Sequence, residues 1–132
     1  MSGIIGKVGW ICIAKRRLLA VRTGGRGLFY IPGGKREPGE DDLAALMRET
    51  SEELGVGIVA ATMRYAGRFS APADGDTEKT VEIEAYHADY IGTLTPGFEI
   101  VEHRFLSSAE TDVASTALSK ILQHLKAKNV ID

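Results

Sequence analysis

Residues 34–56 read GKREPGEDDLAALMRETSEELGV, and the period of this stretch organises the rest of the chain. Leu43, Leu46, Met47, Thr50 and Leu54 recur at spacings of three and four, the pattern of an amphipathic helix. Asp41 is placed to cap its start, Asp42 favours the same end electrostatically, and Gly55 is placed to end it. Each helical residue advances by about 100°, so the five apolar-side positions fall within about 60° of Leu43. Glu49, Glu52 and Glu53 are then expected on the other side, where carboxylates at i, i+3 and i+4 repel one another. A solvated acidic face is the ordinary reading of such a cluster. A bound divalent cation is the alternative, since Mg²⁺ takes carboxylate oxygens, keeps several waters and bridges to substrate phosphates.

Outward from the helix the punctuation is glycine and proline. Thr23–Gly27 and the run Pro32-Gly33-Gly34 to Pro38-Gly39 read as loops. Lys7–Ala14, Leu18–Arg22 and Leu28–Ile31 read as strands, with Lys15-Arg16-Arg17 as the first turn. After the helix, Ala60–Phe69 and Thr80–Tyr90 are expected to be extended, with Ala71–Glu78 as a loop between them. In the second, Val81, Ile83 and Ala85 alternate with Glu82, Glu84 and Tyr86. Thr95–Phe98 is a further loop, Glu99–Leu106 a last strand, and Ser107 with Glu110 a capping box opening a helical tail. Leu118, Ile121, Leu122 and Leu125 mark that helix's buried stripe. Strands outnumber helices, which suits an α/β sandwich with a mixed sheet, a single domain over residues 1–132.

Composition bounds the function. The 132 residues carry 16 Lys plus Arg against 18 Asp plus Glu and are 44% hydrophobic, the balance of one globular domain that needs no disulfide or structural metal. The net charge of −2 gives no footing for a basic binder of polymeric nucleic acid. That small value averages separated blocks: residues 1–36 carry +8, residues 37–53 carry −6, and the remainder −4. The single cysteine, Cys12, lies in an apolar run and reads as a buried strand thiol. No basic leader and no membrane-length apolar run is visible, so the expectation is a cytoplasmic protein with no membrane partner. His87, His103 and His124 show no metal-ligand spacing. No P-loop or nucleophile elbow is present.

Gly34, Glu40, Arg48, Glu49, Glu52, Glu53 and Gly55 stand in the order G, five residues, E, seven residues, R-E, two residues, E-E, one residue, G. With Val56 as the final aliphatic position, this spacing resembles the signature of the Nudix hydrolases. Thr50 departs from the pattern, which usually has a large aliphatic residue there; its hydroxyl can bond back to the carbonyl of Leu46. The resemblance implies a Nudix-type α/β/α sandwich and Mg²⁺, with Mn²⁺ as a substitute. It implies Glu49, Glu52, Glu53 and the Gly33 carbonyl as metal ligands, and Gly34, Glu40, Arg48 and Gly55 as structural motif positions. Glu52 and Glu53 are also candidates for catalysis. Glu99 best matches the late-loop position that supplies a general base in some members, with Glu102 second and a plain strand-end surface residue the equal alternative.

Arg22 and Lys35 resemble phosphate-contacting positions of triphosphate-hydrolysing relatives. Phe29, Tyr30, Phe69 and Tyr86 are available as walls for a nucleobase. The expected reaction is substitution at phosphorus in a small-molecule nucleotide, foremost a (deoxy)nucleoside triphosphate giving a monophosphate and pyrophosphate. Two alternatives stand beside it. One is hydrolysis of ADP-ribose or a nucleotide sugar, for which Pro72 is a faint marker. The other is a non-catalytic nucleotide sensor. A homodimer is compatible with all three.

Overall fold

The computed structural model describes residues 3–97 and 99–132. Strands β1 (Gly3–Ile11), β4 (Gly33–Gly34), β6 (Arg64–Ala73) and β7 (Asp76–His87) form a sheet in the order β4-β1-β7-β6. β1 and β7 are parallel and the other pairs antiparallel, so the sheet is mixed. Strands β2 (Ile13–Ala14), β3 (Arg17–Thr23) and β9 (Ile100–Leu106) form an antiparallel second sheet, and β5 (Gly57–Ile58) pairs with β8 (Tyr90–Ile91).

Helices α1 (Asp42–Leu54) and α2 (Thr116–Ala127) cover opposite faces. Alternation along the strands feeds both sides. Val8, Trp10, Leu19 and Val21 join Leu46 and Leu54 of α1 in one apolar cluster. Ile11, Leu18, Ala20 and Ile83 join Leu118, Ile121 and Leu122 of α2 in the other. The layers are therefore α/β/α, as the sequence predicts.

Helix α1 has the predicted caps: Asp41 accepts from the Ala44 N–H at 2.8 Å, and Gly55 adopts the left-handed conformation at φ 67°. Thr50 is fully buried and its hydroxyl donates to the Leu46 carbonyl at 2.8 Å, so the departure from an aliphatic residue leaves no unpaired group. The buried face is rotated from the predicted stripe, however. It comprises Ala45, Leu46, Thr50 and Leu54, while Met47 is 41% exposed.

Other boundaries moved for identifiable reasons. Lys15 and Arg16 alone make the first turn, both at positive φ (50° and 62°), and Arg17 belongs to β3; such a two-residue turn matches the twist of the strands it joins. Arg16 is held by its guanidinium, which donates to Asp132 at 2.7 Å and to the Asn129 carbonyl at 3.1 Å. Leu28–Ile31 is not a strand. It makes one antiparallel bridge, Tyr30 to Val21, and one parallel bridge, Phe29 to Ala114. Residues 60–62 form a short 3-10 turn ahead of β6. The expected loop over residues 71–78 is instead a hairpin whose strands close to Ala73 opposite Asp76 around Asp74-Gly75. The Ser107 N–H does bond Glu110 at 3.0 Å, but α2 starts later, capped by Ser115.

The segment before β9 locks onto the end of α1. Thr95 N–H donates to the Leu54 carbonyl at 2.8 Å and Gly97 N–H to the Glu53 carbonyl at 2.7 Å, pairing carbonyls that a helix end leaves open. A Cβ on Gly97 would stand 1.9 Å from the Glu52 carbonyl oxygen, so only glycine allows this approach. Phe98, the last residue of the expected loop, lies outside the described residues.

Candidate active site

The site is assembled where β4 lies between β1 and the C-terminal half of α1. Gly33 and Gly34 pair with Gly9 and Val8 of β1. A Cβ on Gly34 would stand 2.5 Å from a Glu49 carboxylate oxygen, so the glycine clears the space that this carboxylate occupies. Gly33 N–H donates to the Glu53 carboxylate at 2.9 Å.

The three helix glutamates have different surroundings. Glu53 lies only about 20° around the helix from Leu46, on the flank that packs against the glycine strand. Burial pushes its carboxyl up to about 8, against the Gly33 N–H, which pulls it down. Burial also raises Glu49, against Arg48. Glu52 is exposed. The single acidic face expected from spacing is thus a graded series from buried to solvated.

Arg48 ties the motif together. It donates to both carboxylate oxygens of Glu40 at 2.8 and 2.9 Å, to Glu49 at 2.6 Å and to the Lys35 carbonyl at 3.0 Å. This two-pronged pairing holds the Glu40 carboxyl well below its ordinary range. Glu40 also accepts from the Glu37 N–H at 2.7 Å. Loop, helix start and helix middle are joined through one guanidinium.

Among the described residues, no three His, Cys, Asp or Glu side chains converge as they stand on a point that could hold a metal ion. Glu49 is turned toward Arg48 and Glu53 toward Gly33 N–H. The donor set nonetheless fits a hard divalent cation. Carboxylate oxygens with a backbone carbonyl beside them are its preferred ligands, and a cation would offset the burial of Glu49 and Glu53.

A cavity of about 400 Å³ opens beside these residues and includes Gly33, Gly34 and Glu53 in its wall. Four cations line it: Lys35, Arg26 and Lys7 near Glu53, and Lys79, which pairs with Asp76. Among the described residues Lys7, Arg26 and Lys35 have no ion-pair partner. Lys7, on β1, is half-buried; burial lowers its pKa, with Lys35 pushing the same way.

Arg22 is placed elsewhere. Directly opposite Glu102 in the β3–β9 register, it donates to that carboxylate at 3.1 and 3.2 Å. The same pair occupies Glu102, the second candidate base. Glu99 is exposed, follows the segment docked on the α1 terminus and raises the Glu53 carboxyl by its charge.

Of the four aromatic candidates, only Tyr30 lines the cavity. Phe29 is 2% exposed, with the Arg104 guanidinium 4.7 Å above its ring. Phe69 packs edge-on against His124 of α2. Tyr86 is on the α1 side and donates to Asp42. Pro72 is exposed on the edge strand β6, outside the cavity wall. Lys7 and Arg26 escaped the sequence reading. For Lys7 the available signal was a charged residue inside an otherwise apolar strand run.

The family model for the NUDIX domain matches residues 6–125. The CTP pyrophosphohydrolase of Escherichia coli (strain K12) is 34% identical over 95 residues, 71% of this chain and 64% of the relative. The chain thus matches somewhat under two thirds of that protein's length. The solution structure of the E. coli ORF135 protein superposes with a TM-score of 0.74 at 27% identity, covering 99% of this chain and 96% of that one. A MutT protein from Methanosarcina mazei Go1 superposes at 0.77 with 20% identity over 97% of this chain and 96% of its own, a likeness of fold.

Proposed function

The chain belongs to the Nudix hydrolases, and we propose that it is a Mg²⁺-dependent pyrophosphohydrolase that converts a (deoxy)nucleoside triphosphate to the monophosphate and pyrophosphate. One observation carries this reading: Lys7, Arg26 and Lys35, without ion-pair partners among the described residues, face the same cavity as Glu53 and Gly33. Three free cations suit a polyphosphate chain better than the neutral sugar of a nucleotide sugar. The E. coli relative, a CTP pyrophosphohydrolase, points the same way.

Glu49, Glu52, Glu53 and the Gly33 carbonyl would hold the cation. When bound, it neutralises diphosphate oxygens and lowers the pKa of water. The chain's own residues do the positioning. Lys7, Arg26 and Lys35 hold the phosphates, and Arg48 fixes Glu40 and Glu49 relative to the Lys35 carbonyl just after β4. Water attacks phosphorus, an anhydride bond breaks, pyrophosphate leaves, and a carboxylate takes the water's proton. Glu99 is the proposed acceptor, with Glu52 and Glu53 as the motif alternatives; Glu102 is committed to Arg22.

The test is a product-release assay over nucleoside triphosphates, ADP-ribose and nucleotide sugars with Mg²⁺ or Mn²⁺. Pyrophosphate release from triphosphates at higher kcat/KM than any other class is expected. Cleavage of ADP-ribose in preference would overturn the substrate assignment, and cleavage of nothing would favour a sensor.

A further inference from the structure

The cavity is electrically polar along its length. One end carries Lys7, Arg26 and Lys35; the other, bounded by the β6–β7 hairpin and the start of α2, carries Asp74, Asp76, Lys79 and Ser115. In the parallel register Lys7 lies opposite Ile83 and Gly3 opposite Lys79. Four residues of strand, roughly 13 Å, therefore separate Lys7 from the level of Lys79 near the hairpin. Ile5, Val81 and Ile83 line the interval, leaving an apolar floor suited to a sugar and a base.

The two far-end carboxylates are not equivalent. Asp76 stands 3.6 Å from the Lys79 ammonium. Asp74 is bonded instead to Thr116: Oδ1 accepts from its hydroxyl at 2.9 Å and from its N–H at 3.3 Å, and Oδ2 shares that N–H at 3.2 Å. These bonds fix the carboxylate without neutralising it. An ionised carboxylate offers about four acceptor sites and no donor, so Oδ2 keeps capacity for another bond. With Asp76 set against Lys79, Asp74 leaves this end net negative, so a group bearing N–H donors is favoured there over a phosphate.

Resting on the triphosphate reading, we propose that Asp74 is a specificity-determining residue that accepts a hydrogen bond from the amino group of the substrate's nucleobase. The substrate class is then nucleoside triphosphates with an amino-bearing base, in preference to analogues with a keto oxygen at that place. A keto oxygen would set two acceptors against each other, and a site built for a donor rejects the analogue lacking it. The charge polarity fixes the orientation of the bound molecule, phosphates toward Lys7 and base toward Asp74.

The test compares kcat/KM for CTP with UTP and for ATP with ITP, pairs that differ as amino and keto, in wild type and Asp74→Asn. Asparagine keeps an oxygen for Thr116 but can turn an amide donor toward a keto group. Wild type should favour the amino partner by about tenfold or more in the pair whose ring size the cavity accepts better. Asp74→Asn should bring that ratio within about threefold, through KM, with an unchanged thermal midpoint. Asp74→Ser, whose hydroxyl falls short of the place the Asp oxygens occupy, should lose the preference too. A wild type without preference, or a preference that survives both substitutions, overturns the proposal. Failure of wild type to cleave any triphosphate is a separate result, which overturns the triphosphate reading itself.

Discussion

Gly97→Ala should unfasten the segment that carries Glu99. The added Cβ would stand 1.9 Å from the Glu52 carbonyl oxygen, 3.1 Å from its carbon and 3.2 Å from the Glu53 oxygen. Even a close carbon–oxygen contact needs roughly 3.3 Å, so the segment must retreat by more than about 1 Å. The offending atoms are backbone of α1 and cannot rotate away. Such a retreat breaks the 2.7 Å bond from Gly97 N–H to the Glu53 carbonyl and strains the 2.8 Å bond from Thr95 to Leu54. At about 1–3 kcal/mol for each partly buried group left unpaired, the cost is roughly 2–4 kcal/mol. For a chain of this size that lowers Tm by about 8–16 °C. The assay is urea unfolding followed by fluorescence of Trp10, the single tryptophan and fully buried. Gly27→Ala is the control, because no atom lies within 4 Å of the Cβ it would add; it should fall within about 0.5 kcal/mol of wild type. Turnover should fall with Gly97→Ala and not with the control. A Gly97→Ala protein as stable as the control would refute the docking of this segment on the helix end.

Two further outcomes follow from buried groups. Burial pushes the Cys12 thiol from 9.0 up to about 11, so between these values the folded state binds more protons than the unfolded state and stability falls as pH rises; Cys12→Ala should remove that part of the slope, and equal slopes in paired urea titrations at pH 8–11 would refute it. Lys7→Met should raise KM for a triphosphate about tenfold while leaving Tm within a few degrees, since the methionine keeps the apolar stem but not the charge; an unchanged KM would remove Lys7 from the phosphate end.

What the sequence made legible is what short-range pattern can carry. The caps and extent of α1, the burial of Cys12 and the alternation in β7 follow from residues within a few positions of one another. The Thr50 back-bond, four residues long, was legible for the same reason. Contacts across the sheet were not. Arg22 reads as a phosphate ligand until the β3–β9 register sets it opposite Glu102, eighty residues later in the chain. Lys7 becomes a cavity residue only because β1 pairs with both β4 and β7. The rotation that buries Glu53 and exposes Met47 depends on which flank of α1 meets the glycine strand, and helical spacing alone does not say. The Asp74-Gly75 hairpin is a different case, since Asp-Gly between extended runs is itself a short-range turn signal.

Glu53 tests the central claim most directly. It is the carboxylate that burial, the Gly33 N–H and the neighbouring cavity single out, and glutamine keeps its size and its acceptor for that N–H. Mg²⁺-dependent pyrophosphate release by Glu53→Gln should fall by about 100-fold or more, with Tm in the absence of metal no lower than that of wild type. Turnover at the wild-type rate would contradict the placement of the metal-dependent chemistry at this end of the cavity.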